Sequence, residues 1–472
     1  MLLFCCACFL TFTSLCSAVS PNIVFILADD LSWSDLACCG HPYHETPNLD
    51  RLASKGMRFT QAYAPAPICS ASRAAILTGR SPARLGFEFV TKDKSGTQPI
   101  KGTLLKAPPF TLNLPLAEVT LAEVLAPAGY RTGFFGKWHV SQHHEGYLGW
   151  SPSHGPLQQG FSEGDGDFGS HPYAYRANPE LKAEAVMTGS FPRDTLTEKA
   201  ISYLRSHREE RFFLYLSHYY VHDPIHSRCQ WLIEKYRSKL PDGALPIQAE
   251  YASMVETLDH QVGRVLDELD ALHLADDTLL VFMADNGGHP NYTTNAPLRG
   301  SKWNLYEGGI RVPFMVRWPG RVAEGSVNRA VVHGCDLLPT FADVAKAALP
   351  GGELDGVNLI PLLQGQVTDV VRTKPLVWHF PYYHPEKQYH KMQPEIGVGD
   401  FETSQTRPHS AIRMGDEKLL HFYEHDVVEL YRLTEDLSEA NDLSDSEPEA
   451  VSRLKLELMR YLKEASARFA TP

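Results

Sequence analysis

The chain is expected to fold as an α/β protein with a large, mixed but mostly parallel sheet flanked by helices, and three observations lead there. Asn22 to Ala28 is a continuous apolar run rich in isoleucine and valine, the pattern of a strand buried on both faces. Tyr130 to Phe135, Phe212 to Leu216 and Thr278 to Met283 read as further strands, and helix-patterned segments lie between them. Polar clusters follow directly after three of these runs: Asp29-Asp30, Gly136-Lys137-Trp138-His139 and Asp285-Asn286-Gly287-Gly288. Ligands of such sheets gather beyond the carboxyl ends of the strands, so the clusters predict a shared site.

Met1 to Ala18 is apolar and ends in Cys16-Ser17-Ala18, the form of a secretory signal cleaved after Ala18. Export is therefore expected, to a periplasmic, extracellular or lysosome-like compartment. Thr46-Pro47, then Asn48 to Lys55, then Gly56 supplies a cap, a first-turn proline and a terminating glycine for a helix. Thr120 to Glu123 has capping-box spacing ahead of the second strand. Tyr251 to Leu269 carries a helical stripe of Val255, Leu258, Val262, Val265, Leu266 and Leu269. After about residue 370 the texture changes. A stretch from Pro375 to Pro385 precedes a polar loop through Pro408, and Ala411 to Met414, Lys418 to Phe422 and Val427 to Leu433 look like short antiparallel strands. Ala450 to Ala465 reads as a closing amphipathic helix. The expected division is a signal over 1–18, a catalytic α/β domain over 19–371 and a smaller α+β domain over 372–472 carrying an antiparallel sheet.

A chain of 472 residues allows two or three domains. Its 43% apolar and 21% charged residues describe a globular rather than a disordered protein. A net charge of −12 excludes a broad nucleic-acid footprint, so an anionic substrate has to be held by local cations. No run after the signal is long enough to span a bilayer. Cys38, Cys39, Cys69, Cys229 and Cys335 remain, too few for a disulfide scaffold. Asn291-Tyr292-Thr293 is an N-glycosylation sequon.

The chemistry centres on Cys69-Ser70-Ala71-Ser72-Arg73, followed by Ala74 to Arg80. A cysteine opening a short helix sits where free N–H groups favour an anion, and Arg73, four residues on, shares its face. This stretch resembles the signature of the type I sulfatases, in which the cysteine is oxidised after synthesis to formylglycine. Ala71 stands where the family usually has proline, which points to a radical-type rather than an oxygen-dependent maturase. The resemblance covers nearly the whole mature chain and implies an alkaline phosphatase-like fold.

The resemblance also implies a site. Asp29, Asp30, Asp285, Asn286 and the modified Cys69 would bind one divalent ion, calcium or else magnesium; hard cations take such oxygen ligands. Lys137 would contact the aldehyde hydrate and the sulfate, and His139 the hydrate oxygen. His222, in Val221-His222-Asp223-Pro224, would stand by the leaving oxygen, with His218 and His226 as nearby decoys. Lys302 would grip the sulfate, while Glu307 to Pro313 builds the wall. One hydroxyl of the hydrate attacks sulfur, His222 with Lys302 protonates the departing alcohol, and His139 takes a proton from the second hydroxyl to release sulfate.

The expected substrate is a sulfated carbohydrate, with aryl sulfates as surrogates. The rival expectations are a phosphonate monoester or phosphodiester hydrolase of the same superfamily, an inactive sulfated-glycan-binding protein, and a cysteine-nucleophile enzyme. The loop from Ser141 to Tyr175 is expected to shape the entrance, with Ser170 or His171 touching substrate. Trp378, Tyr382 and Tyr383 are candidates for stacking on sugar rings or for packing.

Overall fold

The computed structural model describes residues 20–100, 102–175, 186–384 and 406–472. The expected signal over 1–18, and all but the end of the polar loop before Pro408, lie outside the described residues. The strands are β1 (Asn22–Ala28), β2 (Met57–Tyr63), β3 (Arg131–Gly136), β4 (Glu163–Asp165), β5 (Phe212–Ser217), β6 (Thr278–Ala284), β7 (Phe314–Arg317), β8 (Ser326–His333), β9 (Leu376–Phe380), β10 (His409–Met414), β11 (Glu417–Phe422) and β12 (Val427–Arg432).

The large sheet has the order β4-β3-β5-β1-β6-β7-β2-β8. β7 runs against both of its neighbours, and every other pairing is parallel. The continuous apolar runs occupy the middle, where β5, β1 and β6 are buried along their whole length. This is what a strand covered on both faces requires. The helix Ile247–Ala271 packs with Pro47–Ser54, Thr195–Ser206 and Gln230–Arg237. A second helical group, built on Leu337–Ala345, puts Phe341 against Phe25 and Phe213.

The helix Pro47–Ser54 forms where expected, but neither Thr46 nor Gly56 plays the part expected of it. Thr46 precedes the helix Pro47–Ser54, but its hydroxyl accepts the Ala37 N–H instead of capping. The first-turn N–H groups of Asn48 and Leu49 are capped by the carboxylate of Asp259, from the long helix. Gly56 does not end that helix in a left-handed turn; a Cβ there would lie 2.3 Å from the Val316 carbonyl oxygen, so glycine is needed for close approach. The capping box of Thr120 and Glu123 forms as expected.

The second sheet is antiparallel throughout, in the order β12-β11-β10-β9. The helix Pro448–Glu464 covers one face through Leu454, Leu458, Tyr461 and Leu462. Trp378, Phe380, Ala411, Leu420 and Tyr431 join Tyr63, Ile68 and Ala71 in a core shared with the large sheet. Trp378, Tyr382 and Tyr383 are therefore packing residues and not sugar platforms. Trp378 is fully buried and donates to the Ala64 carbonyl at 2.8 Å, and Tyr382 stacks on Phe89. Tyr383 donates to Glu424. Burial of each such ring contributes on the order of 2–3 kcal/mol, which a solvent-facing sugar platform would forgo. Among the described residues all five cysteines are free, and no helix is long and apolar enough to cross a membrane.

Candidate active site

The site forms where β1, β3, β5 and β6 end on the same edge of the sheet. Asp29 and Asp30 follow β1; Asp30 has φ +57°, and its N–H donates to Asp285 Oδ1 at 3.1 Å. Asp285 and Asn286 follow β6, and Asn286 Nδ2 donates to Asp30 Oδ1 at 2.7 Å. At Gly287 a Cβ would lie 1.9 Å from the Gly308 oxygen, so the missing side chain lets the Lys302-bearing loop dock against β6. The Gly287 N–H then bonds the Gly309 carbonyl at 3.0 Å.

Cys69 opens the helix Cys69–Thr78; Ile68 at the cap position provides no side-chain bond. The first turn therefore directs unsatisfied N–H groups at position 69. The Cys69 sulfur lies 3.3 Å from Asp29 Oδ1 and 3.8 Å from Asp30 Oδ1. Arg73 lies one turn on, but its bonds do not go to Cys69. Its Nε donates to Asp285 Oδ2 at 2.9 Å, and Nη1 to the Lys137 carbonyl at 2.9 Å and the Ser217 hydroxyl at 2.5 Å. Its Nη2 is 3.5 Å from Asp29 Oδ1. Arg73 thus ties together the ends of β1, β3, β5 and β6. Ser217, a small polar residue closing an apolar strand, is a partner that no sequence motif marked.

Lys137 donates to Asp29 Oδ2, and Lys302 donates to Asp30 Oδ2 at 2.6 Å; both lysines are buried. His222 Nε2 lies 3.6 Å from the same Asp30 oxygen. The decoys fall elsewhere: His218 is buried with both ring nitrogens unpartnered, and His226 faces Glu250 Oε2 at 3.4 Å. His139 is buried with φ +54°, and its Nδ1 has no partner.

Burial and the adjacent Asp29 push the Cys69 thiol well above its ordinary range, which disfavours a free thiolate nucleophile. Burial opposes ionisation of Asp29, yet Lys137, His222, Arg73 and Lys302 hold its carboxyl well below the usual range. Burial and Asp29 push Asp285 up to about 7. Burial, then Lys137, keeps His139 neutral, able to accept a proton. Burial, with Lys302 and Lys137, brings His222 down to about 4.

Four of these residues line a cleft of about 500 Å³. Cys69, His139, His222 and Lys302 line it together with Thr91, Lys92, Asp93, His143, Tyr147, Asn291 and Tyr292. His143 and Tyr147 bear out the entrance role of the loop after Ser141; the Thr91–Asp93 segment carried no sequence signal. Ser170 and His171, expected at the substrate, are buried and bonded inward instead. Ser170 donates to Asp194 and His171 meets the His222 carbonyl, both within hydrogen-bond distance.

The fit to a divalent cation can be tested on the donor set. Asp29, Asp30, Cys69 and His222 offer ligand atoms all within 4.8 Å of one another. The buried Oδ1 of Asn286 has no hydrogen-bond partner, and carboxylate and amide oxygens suit a hard ion. The residues fit.

A cluster of cations beside such a donor set, at the strand ends of a mostly parallel sheet, suits an ester of a compact tetrahedral anion, the province of alkaline phosphatase-like hydrolases. Comparison with known proteins narrows the class. The family model Sulfatase matches residues 21–347, and that for the N-sulphoglucosamine sulphohydrolase C-terminal region matches 301–467. The chain is 37% identical to human arylsulfatase A over 370 residues, 73% of this chain and 68% of the relative. It is 32% identical to a sulfatase of Formosa agariphila over 91% of this chain and 85% of that one. The solved structure of Ps i-CgsB in complex with k-i-k-neocarrahexaose superimposes with a TM-score of 0.72 at 26% identity, covering 94% of this chain and 93% of the other. The chain belongs to the sulfatase family. It is a sulfuric ester hydrolase.

Proposed function

We propose that this sulfatase removes sulfate from sulfated carbohydrates through a formylglycine made from Cys69, in an exported compartment. The observation that carries the reading is the placement of Cys69. It is buried at a helix start, 3.3 Å from Asp29 Oδ1, in the wall of a cleft that Lys302, His139 and His222 also line. The carbohydrate substrate is supported by the glycan held by Ps i-CgsB. Ala71 supports a radical-type maturase. The large sheet belongs to a catalytic domain over 19–371 and the antiparallel sheet to a smaller one over 372–472.

Asp29, Asp30, Asp285, Asn286 and residue 69 would hold a divalent cation, calcium. A cation bound there would supply positive charge to the sulfate oxygens and would favour the anionic form of the nucleophile. The modification gives residue 69 two hydroxyls, one to take the sulfuryl group and one whose deprotonation releases sulfate. Lys137 and Lys302, freed from Asp29 and Asp30 as the anion enters, oppose the charge that grows on the equatorial oxygens, and Arg73 keeps the carboxylates in place. His222, taking up a second proton on Nε2 as the anionic ester binds, gives that proton to the leaving oxygen, and the neutral His139 accepts one from residue 69.

Two experiments test this. Cys69→Ser has one hydroxyl and is expected to release about one equivalent of phenol per site from an aryl sulfate and then stop; steady turnover by that variant would sink the aldehyde. Chelation with EGTA is expected to abolish sulfate release, with calcium restoring it. Full activity in verified metal-free protein would remove the cation from the scheme.

A further inference from the structure

His222 is gripped by one short stretch of the entrance loop. His171 Nδ1 accepts the Tyr173 N–H at 3.3 Å, so its proton sits on Nε2, which donates to the His222 carbonyl at 2.9 Å. The Tyr173 hydroxyl lies 3.0 Å from His222 Nδ1. The same nitrogen faces the Asp223 carbonyl at 2.6 Å. A carbonyl only accepts, so Nδ1 carries the proton and the ring turns Nε2 alone toward Asp30. The Tyr173 ring is itself wedged between Phe168 and Tyr147, with centroids 5.6 and 5.5 Å away.

From this geometry we infer that Tyr173 is a positioning residue for the sulfatase reaction: its hydroxyl oxygen, with the Asp223 carbonyl, accepts from His222 Nδ1–H and fixes the ring so that the second proton of the imidazolium is carried on Nε2, facing the leaving oxygen. The inference rests on the reading of His222 as the proton donor. A phenylalanine keeps the ring contacts and removes only the oxygen, so packing and positioning separate. A misaligned donor matters most where the leaving oxygen most needs a proton.

The test is a series of aryl sulfates graded in leaving-group acidity, from 4-nitrophenyl to unsubstituted phenyl sulfate, with matured wild type, Tyr173→Phe and His222→Ala. Loss of one hydrogen bond to the donor is expected to lower kcat for phenyl sulfate about tenfold more than for 4-nitrophenyl sulfate in Tyr173→Phe. His222→Ala should show a larger gap of the same sign. An even loss across the series in Tyr173→Phe, or a change confined to KM, with the gap still present in His222→Ala, would overturn the role of Tyr173 alone. No gap in His222→Ala would instead remove His222 as donor and this inference with it.

Discussion

His409 shows how one buried side chain sets a pH response. Its Nδ1 donates to the Arg407 carbonyl at 2.7 Å and its Nε2 accepts the Leu305 N–H at 3.1 Å, so both nitrogens are used in the neutral form. Burial brings it down to about 3, against the relief of the Arg407 bond. The unfolded chain therefore takes up this proton between about pH 6.5 and 3 while the folded chain does not. Its contribution is fully present above pH 6.5 and drains away as pH falls toward 3, by up to roughly 5 kcal/mol. In His409→Gln, the decline of unfolding free energy between pH 7 and 4.5, read by urea titration, is expected to be shallower than in wild type. Identical slopes would contradict the assignment.

At the scale of elements, the site depends on strands meeting closely at their carboxyl ends. Gly136 ends β3 with φ +102°, and a Cβ there would stand 2.0 Å from the Ser217 oxygen of β5. The neighbouring Lys137 N–H bonds that oxygen at 2.9 Å, so the contact that excludes a side chain also places the lysine. Gly136→Ala is expected to lose about 3 kcal/mol or more of stability, from a left-handed alanine and a forced separation of the strands. The surviving folded fraction should lose kcat as well, because Lys137 moves with the strand end. Thermal unfolding and aryl sulfate turnover together check this; a wild-type melting point would refute it.

Across the whole molecule, a buried ionic joint ties the second sheet to the short helix Glu307–Ile310. Lys418 of β11 pairs with Glu307 and Glu439 at 2.9 Å each, all three fully buried. Glu439 also accepts the Glu307 N–H at 2.7 Å, and Glu307 sits on the loop that carries Lys302. Removing one partner leaves charge buried without compensation, so Lys418→Met is expected to lose about 3–5 kcal/mol. Calorimetry should show a large fall in melting temperature, with sulfate release falling in parallel; a stable, fully active variant would show the joint to be dispensable.

Order along the chain was enough to predict the central strands, the capping box at Thr120, the long helix and the antiparallel strands after residue 370, because apolar periodicity and cap residues act over a few neighbours. It also marked Asp29, Asp30, Cys69, Lys137, His139, His222, Asp285, Asn286 and Lys302 as candidates, since each follows an apolar run or lies in a signature that resembles a known family, and the structure gathers them at one sheet edge. Only the tertiary structure decided where Arg73 spends its hydrogen bonds, that Asp259 caps the helix Pro47–Ser54, and that Trp378 and Tyr382 are core. It alone showed that His171 and Tyr173 brace His222. Those facts depend on contacts between residues far apart in the chain, and such contacts exist only once the sheets have closed over their core.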